Sequence, residues 1–432
     1  MARLIVATVP LTGHVRPMLL LVRTLIDRGH EIHWYAGARF ARAITDIGAT
    51  YVAMRTGRDW DETDIDGSLP ALRGLRGLAR VKAQLREMFI APMGDQLRDL
   101  EQLADSVHAD AILADSAHLG AALLSEKRGL PWIGLGISAL MIPSIDTAPF
   151  GSAYPPLEGP AGVRRNKIMN HVVFRLMFAG VNRAFRRARR DAGLPPGDGT
   201  YFDVLSPHLF LQPTVPSFEY PRRDLPPQVH FIGPLVPREP ASILPTWWPD
   251  VLAAGESGIP VVLVTQGTLA TDTRALIVPA LRGLADDRLL VVVTGRVDEL
   301  GGAVPANARV APFVPYEALL PHVSAMVTNA GYGGVQMALC HGVPLVAAGG
   351  SEEKPEIAAR IAWCGAGVDL RTGTPSPAEV RAGVRSVLDE PRYRARAQEI
   401  ATEMAAYDAP SRGADLVEQL LAQHVRPAES VA

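Results

Sequence analysis

The sequence has few of the features that mark disulfide-rich, metal-binding or membrane-spanning proteins. Its 432 residues include only two cysteines, Cys340 and Cys364, which stand apart with no CxxC spacing. They therefore predict neither a disulfide framework nor a zinc site, and we expect them to pack as small hydrophobic side chains. No segment approaches the run of about 18 apolar residues that a membrane-spanning helix needs.

The sequence also lacks an excess of charge of either sign. It has 43 Lys and Arg against 45 Asp and Glu, for a formal net charge of -2 at pH 7, whereas nucleic-acid-binding proteins usually carry a basic face. The apolar run in the N-terminal "MARLIVATVPLTGHVRP" is too short for a signal peptide and has no small-residue cleavage site. These absences predict a cytoplasmic protein with no nucleic-acid partner.

The first half of the chain alternates short β-branched runs with helical segments. The run "LIVATVP" is followed by a loop, "LTGH", then by a helical segment, "RPMLLLVRTLIDRGH", and then by a second run, "EIHWYAG". The same alternation recurs from "ADAILAD" to "PWIGLGIS". It is typical of βαβ units, whose parallel strands form a sheet that helices cover.

A change of composition divides the chain in two. Proline is dense between residues 215 and 256, and because proline suits neither a central strand nor a helix interior, we expect a linker there with one short strand, "VHFIG". Strand-helix alternation then restarts at "PVVLVTQG". We therefore predict an α/β fold with two Rossmann-like, doubly wound domains, 1–214 and 257–410, facing a cleft where the carboxyl ends of the strands meet.

A glycine-rich stretch joins a strand to a helix in the second predicted domain. Residues 327–346 read "VTNAGYGGVQMALCHGVPLV", which places Gly331, Gly333 and Gly334 at a helix N-terminus on the carboxyl edge of a sheet. Free N–H groups and the positive end of the helix dipole favour an anion there, and the missing side chains let a phosphate reach the backbone. A tight turn that merely needs positive φ is the alternative explanation.

Residues 313–370 resemble the donor-binding signature of the inverting, UDP-glycosyltransferase-like enzymes with the GT-B fold. They read "FVPYEALLPHVSAMVTNAGYGGVQMALCHGVPLVAAGGSEEKPEIAARIAWCGAGVDL". "GHVRPML", "FEYPRRDLPPQVHFIGPL" and "VTQGT" stand where that family has their counterparts, so the resemblance extends over most of the chain. It implies a family 1 type natural-product glycosyltransferase, with the acceptor in the N-terminal domain and a UDP- or dTDP-sugar held by the C-terminal domain. It also implies a helix within residues 411–432 that packs back on the N-terminal domain, followed by a tail.

The resemblance assigns donor-binding roles position by position. Phe313 stands where the family has an aromatic residue that stacks on the nucleotide base. Glu353 and Lys354 stand where an acidic residue and a glutamine hold the sugar hydroxyls. The donor-binding residues that it implies are Gly267, Thr268, Phe313, Val314, Asn329, Gly331, Gly333, Gly334, Glu353 and Lys354.

Several positions depart from the family pattern. Asn329 replaces a phosphate-binding histidine, so it can donate a neutral hydrogen bond but not the charge of an imidazolium, and Gly334 replaces a serine that contacts the phosphates. Tyr316 and Met337 replace the glutamine and glutamate that bind the ribose hydroxyls. The loss of that carboxylate fits a donor without the 2′-hydroxyl, such as a dTDP-sugar. A core-facing helix position is a compatible explanation for Met337.

The resemblance also implies a catalytic pair. Inverting glycosyl transfer needs a base for the acceptor's proton and charge stabilisation on the departing diphosphate. We expect His14 in the loop after the first strand, where an imidazole can act as a base near pH 7. Asp115 ends "ADAILAD" on the same sheet edge. By resemblance, His14 is the catalytic base and Asp115 the carboxylate that orients the imidazole and stabilises its cation.

We expect no metal and no cofactor, because the nucleotide-sugar is a co-substrate. The "DID" of residues 64–66 matches the DxD signature of metal-dependent glycosyltransferases, but it lies in the acidic stretch "GRDWDETDIDGS" rather than after an apolar strand. We interpret it as an exposed loop.

Residues 163–193 form a basic, amphipathic segment. We expect a helix whose apolar stripe closes the acceptor pocket and whose arginines face water. Attachment to anionic lipid through residues 163–190, or transfer to a lipid acceptor, is the alternative.

For the oligomeric state of the protein, we expect a monomer or a homodimer.

Other functions compete with transfer of a sugar to a hydroxyl of a hydrophobic small molecule such as a polyketide, macrolide or flavonoid. A nucleotide-sugar epimerase or hydrolase would use the same donor site without an acceptor, but the "GHVRP" loop supplies a base on the acceptor side. A binding protein without catalysis would not need the pair of His14 and Asp115. An NAD-dependent oxidoreductase would carry GxGxxG after its first strand, where this chain has "LTGHVRP".

Overall fold

Two parallel sheets organise the computed structural model, which describes residues 1–236, 243–267, 272–297, 300 and 304–424. The strands of the first sheet are β1 (Arg3–Ala7), β2 (Glu31–Ala36), β3 (Thr50–Ala53), β4 (Ala111–Asp115), β5 (Trp132–Leu135), β6 (Leu209–Gln212) and β7 (Val229–Phe231). Their spatial order is β3-β2-β1-β4-β5-β6-β7, and all pairs are parallel. Because β7 pairs with β6, this sheet continues past residue 214 into the range that we assigned to a linker.

The second sheet repeats the arrangement. Its strands are β8 (Val261–Thr265), β9 (Leu290–Thr294), β10 (Ala308–Ala311), β11 (Ala325–Thr328), β12 (Leu345–Ala347) and β13 (Gly367–Asp369). They lie parallel in the order β10-β9-β8-β11-β12-β13. The central strands are continuous, mostly apolar runs buried on both faces, as covered parallel sheets require. The predicted α/β fold with two doubly wound sheets is confirmed.

Helices cover both faces of each sheet. They are α1 (Thr12–Asp27), α2 (Ala41–Asp46), α3 (Ile65–Ser68), α4 (Gly77–Gln84), α5 (Met93–Val107), α6 (Leu119–Arg128), α7 (Gly159–Asn170), α8 (Ala179–Asp191), α9 (Trp248–Glu256), α10 (Ile277–Leu284), α11 (Tyr316–Leu319), α12 (Tyr332–Cys340), α13 (Lys354–Trp363), α14 (Pro377–Asp389), α15 (Pro391–Ala405) and α16 (Ala409–His424). We call residues 1–236 together with α16 the first half, and residues 243–405, where described, the second half.

The first helix begins earlier than the sequence indicated. We predicted that His14 lies in a loop, but α1 starts at Thr12 and places His14 in its first turn. Leu11 provides no side-chain cap; instead Glu62 accepts hydrogen bonds from the backbone N of Thr12, at 2.8 Å, and from its hydroxyl. A carboxylate at a helix N-terminus satisfies an unpaired N–H and interacts favourably with the helix dipole, which allows the helix to start there.

The basic segment 163–193 is not one regular helix. A π-helical stretch, His171–Met177, separates α7 from α8. The inner side of the whole segment 163–193 is buried in the first half through Phe174, Phe178, Val181 and Phe185. Other apolar side chains face outward, namely Ile168, Val172, Leu176 and Met177, of which Leu176 is 60% exposed.

The chain passes between the halves a second time near its end. Ala414 and Val417 of α16 share an apolar cluster with Leu21 of α1. Just before α16, Tyr407 lies against Gly233, which follows β7. A Cβ placed on Gly233 would come 2.3 Å from the Cβ of Tyr407, and the φ of Gly233 is +85°, so a side chain is excluded there. The segment that leads into α16 therefore packs directly against the loop after β7.

Candidate active site

His14 and Asp115 meet at the carboxyl edge of the first sheet. Asp115 is the last residue of β4, which neighbours β1, the strand that precedes α1. The Nδ1 of His14 lies 3.0 Å from Oδ1 of Asp115, and the two residues are 7% and 0% exposed. The ring N–H is not well aligned with that oxygen, and catalytic hydrogen bonds often tighten only when substrate is bound. The structure thus brings together the two residues that the sequence analysis paired.

The Asp115 carboxylate is held by backbone groups. Its Oδ2 accepts a hydrogen bond from the N–H of Val9 at 2.8 Å, and its Oδ1 accepts one from the N–H of Ala117 at 2.8 Å. Burial alone would raise the pKa of Asp115, but the neighbouring His14, together with His118 and these N–H donors, holds that pKa below its ordinary value. Asp115 is therefore ionised at neutral pH and fixed in position by the loops after β1 and β4.

His118 is a third buried residue beside this pair. It is 1% exposed, and neither ring nitrogen has a hydrogen-bond partner among the described residues. Its ring meets that of Tyr35 edge-on, with 5.8 Å between centroids. Burial lowers the pKa of His118 to about 4, although the charge of Asp115 opposes this. No sequence motif singles out His118, and its position just after Asp115 is the sequence signal for its location.

The glycine-rich stretch of the second half forms an open helix N-terminus. β11 ends at Thr328, Gly331 is the N-cap of α12, and Gly333 and Gly334 lie in the first turn. None of the three glycines has a positive φ; the left-handed residue is Ala330, with a φ of 63°. A Cβ on Gly333 would have no atom within 4 Å. The tight-turn explanation is therefore wrong for these glycines, and the backbone of Gly333 faces open space.

Gly267 and Asn329 lie beside that helix N-terminus. Gly267 follows β8 with a φ of +74°, and a Cβ placed there would lie 3.7 Å from Oδ1 of Asn329. The side-chain amide of Asn329 donates to the backbone carbonyl of Gln266. Thr268, the next residue of this loop, lies outside the described residues. The loop after β8 and the N-terminus of α12 thus form one corner at the carboxyl edge of the second sheet.

The residues after β10 differ in what they can offer a nucleotide. Phe313 is 65% exposed, so its ring is available for stacking, whereas Val314 is 2% exposed and packs in the core. Tyr316 is partly buried, and its hydroxyl bonds to Thr265 and Thr294 at the ends of β8 and β9. Burial raises the pKa of Tyr316, although those hydroxyls oppose the shift. Met337 is partly buried against the same core.

Glu353 and Lys354 lie at the start of α13. Glu353 is the N-cap residue, and Lys354 forms an ion pair with Glu352. Burial and the charge of Glu352 raise the pKa of Glu353, whereas His14 of the other half acts in the opposite direction. Glu353 is thus within electrostatic range of His14.

A pocket that is partly open to solvent lies at the carboxyl ends of β4, β5 and β6. Its walls are mostly apolar and include Leu119, Met141, Phe202 and Phe210. Phe202 stacks on Phe174 of the π-helical stretch, with 4.4 Å between centroids. The inner apolar side of residues 163–193 therefore supports one wall of this cavity.

Among the described residues, no three His, Cys, Asp or Glu side chains are grouped as they would be to hold a metal ion. In the same part of the chain, no helix combines the length and the apolar character needed to cross a membrane. Asp66 of the "DID" sequence forms an ion pair with Arg80, at 2.7 Å.

Comparison with known proteins gives a consistent family assignment. Residues 280–421 match the family described as "Erythromycin biosynthesis protein CIII-like, C-terminal domain". The chain is 43% identical to the 4'-demethylrebeccamycin synthase of Lentzea aerocolonigenes over 97% of this chain and 100% of that protein. It is 34% identical to UDP-glycosyltransferase 2 of Phaeomoniella chlamydospora over 97% of this chain and 95% of that protein.

Solved structures share the same fold. The glycosyltransferase VinC, solved in complex with dTDP, matches with a TM-score of 0.69 at 20% sequence identity, over 98% of this chain and 100% of that chain. The prediction of a glycosyltransferase is confirmed, and the epimerase or hydrolase alternative is not. The chain belongs to the UDP-glycosyltransferase-like family of natural-product glycosyltransferases.

Proposed function

We propose that the protein transfers a sugar from a nucleoside-diphosphate sugar to a hydrophobic natural-product acceptor with inversion, His14 acting as the base. The observation that carries this proposal is the buried pair of His14 and Asp115 at the carboxyl edge of the first sheet, where Nδ1 of His14 lies 3.0 Å from Oδ1 of Asp115. An imidazole held beside a buried carboxylate is suited to take the proton of a hydroxyl that attacks the anomeric carbon.

The transfer follows from this geometry in one displacement. Nε2 of His14 takes the proton of the acceptor hydroxyl while the acceptor oxygen attacks the anomeric carbon. The bond between that carbon and the diphosphate oxygen breaks, and the nucleoside diphosphate leaves with the electron pair. Asp115 stabilises the imidazolium that forms. Because attack and departure occur on opposite faces of the sugar, the anomeric configuration inverts.

The departing diphosphate is stabilised by the second half. The N–H groups at the N-terminus of α12, beside Gly331 and Gly333, favour an anion there. The neutral amide of Asn329 adds a hydrogen-bond donor, and exposed Phe313 offers a ring for the base. We propose that these groups act without a metal ion, so that transfer proceeds in the presence of a chelator.

The preferred donor nucleotide is proposed to be dTDP. Met337 and Tyr316 occupy the positions where the family binds the ribose hydroxyls, and neither supplies a carboxylate. Tyr316 instead directs its hydroxyl to Thr265 and Thr294. The dTDP bound to the structurally similar VinC agrees with this preference, whereas the UDP-glycosyltransferase relative makes UDP the competing donor.

The acceptor is proposed to occupy the apolar cavity at the ends of β4, β5 and β6. Its apolar walls suit a hydrophobic polycyclic or macrolide compound better than a free sugar. Because the chain is similar to 4'-demethylrebeccamycin synthase, the first acceptor to test is the precursor of 4'-demethylrebeccamycin.

Three further statements stay predictions. They are the cytoplasmic location, the monomeric or dimeric state, and lipid attachment through residues 163–190.

The test measures release of nucleoside diphosphate from dTDP-glucose and UDP-glucose, with and without a pool of acceptors, in the wild type and in His14→Ala. His33→Ala is the control, because His33 lies on β2 and its Nε2 bonds to Glu31 at 2.8 Å. We expect release that requires an acceptor, persists in EDTA, favours dTDP-glucose and disappears only in His14→Ala. Release without an acceptor, or an active His14→Ala variant, would contradict the proposal.

A further inference from the structure

A buried arginine on α13 joins the two halves. Arg360 is 1% exposed and lies between Glu219 and Glu356, which are 2% and 3% exposed. Its Nε donates to Oε2 of Glu219 at 3.1 Å, and its Nη1 donates to Oε2 of Glu356 at 2.9 Å. Its guanidinium also lies 4.1 Å from the ring centroid of Tyr220. Burial alone would lower the pKa of Arg360, but the two carboxylates raise it, so the arginine stays charged.

Glu356 extends this group to a loop of the first half. Its Oε1 accepts hydrogen bonds from the backbone N–H of Gly151 at 2.8 Å and of Ala153 at 2.7 Å. Both residues are left-handed, with φ values of 93° and 55°. Such a conformation disfavours alanine, so the carboxylate compensates for a strained backbone. The neighbouring Phe150 packs against the core of the second half.

Glu219 holds the other end of the same segment. Its Oε1 accepts from the N–H of Leu140 at 2.9 Å, and Arg222 donates to the carbonyls of Leu140 and Ile142. Residues 136–142 form a wall of the apolar cavity. The segment that runs from this wall to Ala153 is therefore attached at both ends to the group of Arg360, Glu219 and Glu356.

We propose that Glu356 is a positioning residue for the transfer reaction, resting on the function proposed above. Lys354 and Glu353 begin the helix that carries Glu356 and Arg360. The group that we call the interdomain clamp (Glu219, Glu356 and Arg360) therefore fixes the acceptor-side segment 136–153 relative to the donor-sugar end of α13. A displacement of about 1 Å between reacting groups can lower a rate by about 100-fold. The position of segment 136–153 relative to the start of α13 therefore controls the rate of transfer.

Two substitutions of Glu356 separate positioning from stability. Glu356→Ala removes the acceptor of both loop N–H groups. Glu356→Gln keeps an oxygen for Gly151 and Ala153 but presents an amide N–H₂ to Arg360. We expect Glu356→Ala to raise the acceptor KM and the ratio of donor hydrolysis to transfer by about tenfold each, while the Kd for dTDP stays within about twofold. We expect Glu356→Gln to unfold at lower temperature but to keep the acceptor KM near the wild-type value.

The matched control is Asp287→Asn. Asp287 is also an acid that pairs with two arginines, Arg381 at 2.5 Å and Arg385 at 2.6 Å, and its side chain is 6% exposed. It precedes β9 and so lies at the amino edge of the second sheet, away from the cleft. This variant should lose thermal stability and keep both the acceptor KM and the hydrolysis ratio.

The outcomes are distinguishable from those of the proposed function. A wild-type protein that transfers no sugar refutes the function itself. A wild type that transfers, with Glu356→Ala unchanged in acceptor KM and hydrolysis ratio, refutes the clamp alone. Hydrogen exchange in the wild type provides a test that needs no variant: the amides of Gly151 and Ala153 should exchange at least about tenfold more slowly than unprotected amides. Exchange at the unprotected rate would also refute the clamp.

Discussion

Asp115→Asn changes the candidate catalytic pair with the least change of shape. The native carboxylate faces three N–H groups, those of Val9, Ala117 and the His14 ring, at 2.8, 2.8 and 3.0 Å. Asparagine keeps one oxygen and replaces the other with N–H₂. In either orientation of the amide, at least one of the three donors then faces another donor, and the negative charge beside the imidazole is gone.

The expected losses can be derived from these contacts. One buried N–H left without an acceptor costs about 1–3 kcal/mol of folding stability. Activity should fall further, because the imidazolium formed during transfer loses its counter-charge and its orientation. Loss of an equivalent carboxylate in a catalytic triad lowers kcat by about 10⁴-fold, and we expect a decrease of about 10² to 10⁴-fold here.

The assay compares acceptor-dependent nucleotide release and urea unfolding with those of Asp99→Asn. Asp99 is 7% exposed and accepts from the hydroxyl of Tyr35 at 2.8 Å and the N–H of Gly57 at 3.0 Å. The Asp99→Asn variant therefore loses a comparable set of hydrogen bonds, but away from the pair of His14 and Asp115. Asp99→Asn should be destabilised but active, whereas Asp115→Asn should be destabilised and inactive. Equal activity of the two variants would refute the role of Asp115.

The pH dependence gives a second readout for Asp115→Asn. Folding lowers the pKa of Asp115, so the folded state binds its proton less readily than the unfolded state, whose pKa is about 3.9. The stability that the carboxylate contributes is present above about pH 4 and is lost as the pH falls through the folded pKa. The difference in unfolding free energy between wild type and variant should therefore shrink in acid. A difference that stays constant down to pH 2.5 would contradict this reasoning.

Three further predictions concern the neighbouring residues. The pKa of His118 is lowered to about 4, so the wild type should lose up to about 3 kcal/mol of stability as the pH falls from 6.5 to 4. Urea unfolding of His118→Leu at the two pH values should show a smaller decrease in the free energy of unfolding over that interval. A decrease equal to that of the wild type would refute this. Gly334→Ser has room, since the nearest atom to its Cβ would be Cε of Met326 at 3.6 Å, and its added hydroxyl should tighten dTDP binding by about two- to tenfold in calorimetry; weaker binding would show that the site is full. Gly267→Ala puts a Cβ on a residue with a φ of +74°, at a cost of about 1–2 kcal/mol, and should weaken dTDP binding; unchanged affinity would place this loop outside the donor site.

The parts of the fold that were predictable depend on local patterns. The β-branched runs and the helices between them are encoded in consecutive residues, and so is the capping box of Ser376 and Glu379 at the start of α14. The start of α1 was not predictable, because its N-terminal partner is Glu62, far away in the chain. The short strand "VHFIG" was expected, but its pairing with β6 depends on the register of the sheet, which the sequence does not show.

The candidate site likewise combines features that the sequence predicts with features that depend on the packing of the fold. The roles of His14 and Asp115 followed from a family resemblance. Their 3.0 Å contact depends on the pairing of β1 with β4, which the sequence does not show. Glu356 and Arg360 have the spacing of an ordinary helix ion pair, and that pair exists. Nothing in the sequence shows that both are buried against the other half, because that burial depends on the packing of α13 against Glu219.

The contact between Gly233 and Tyr407 restricts the path of the chain between the two halves. Because a Cβ on Gly233 would come 2.3 Å from the Cβ of Tyr407, only glycine lets the segment before α16 lie this close to the loop after β7. A larger side chain at position 233 would act as a wedge that forces Tyr407 away from that loop, at a place remote from every residue that we propose to contact substrate.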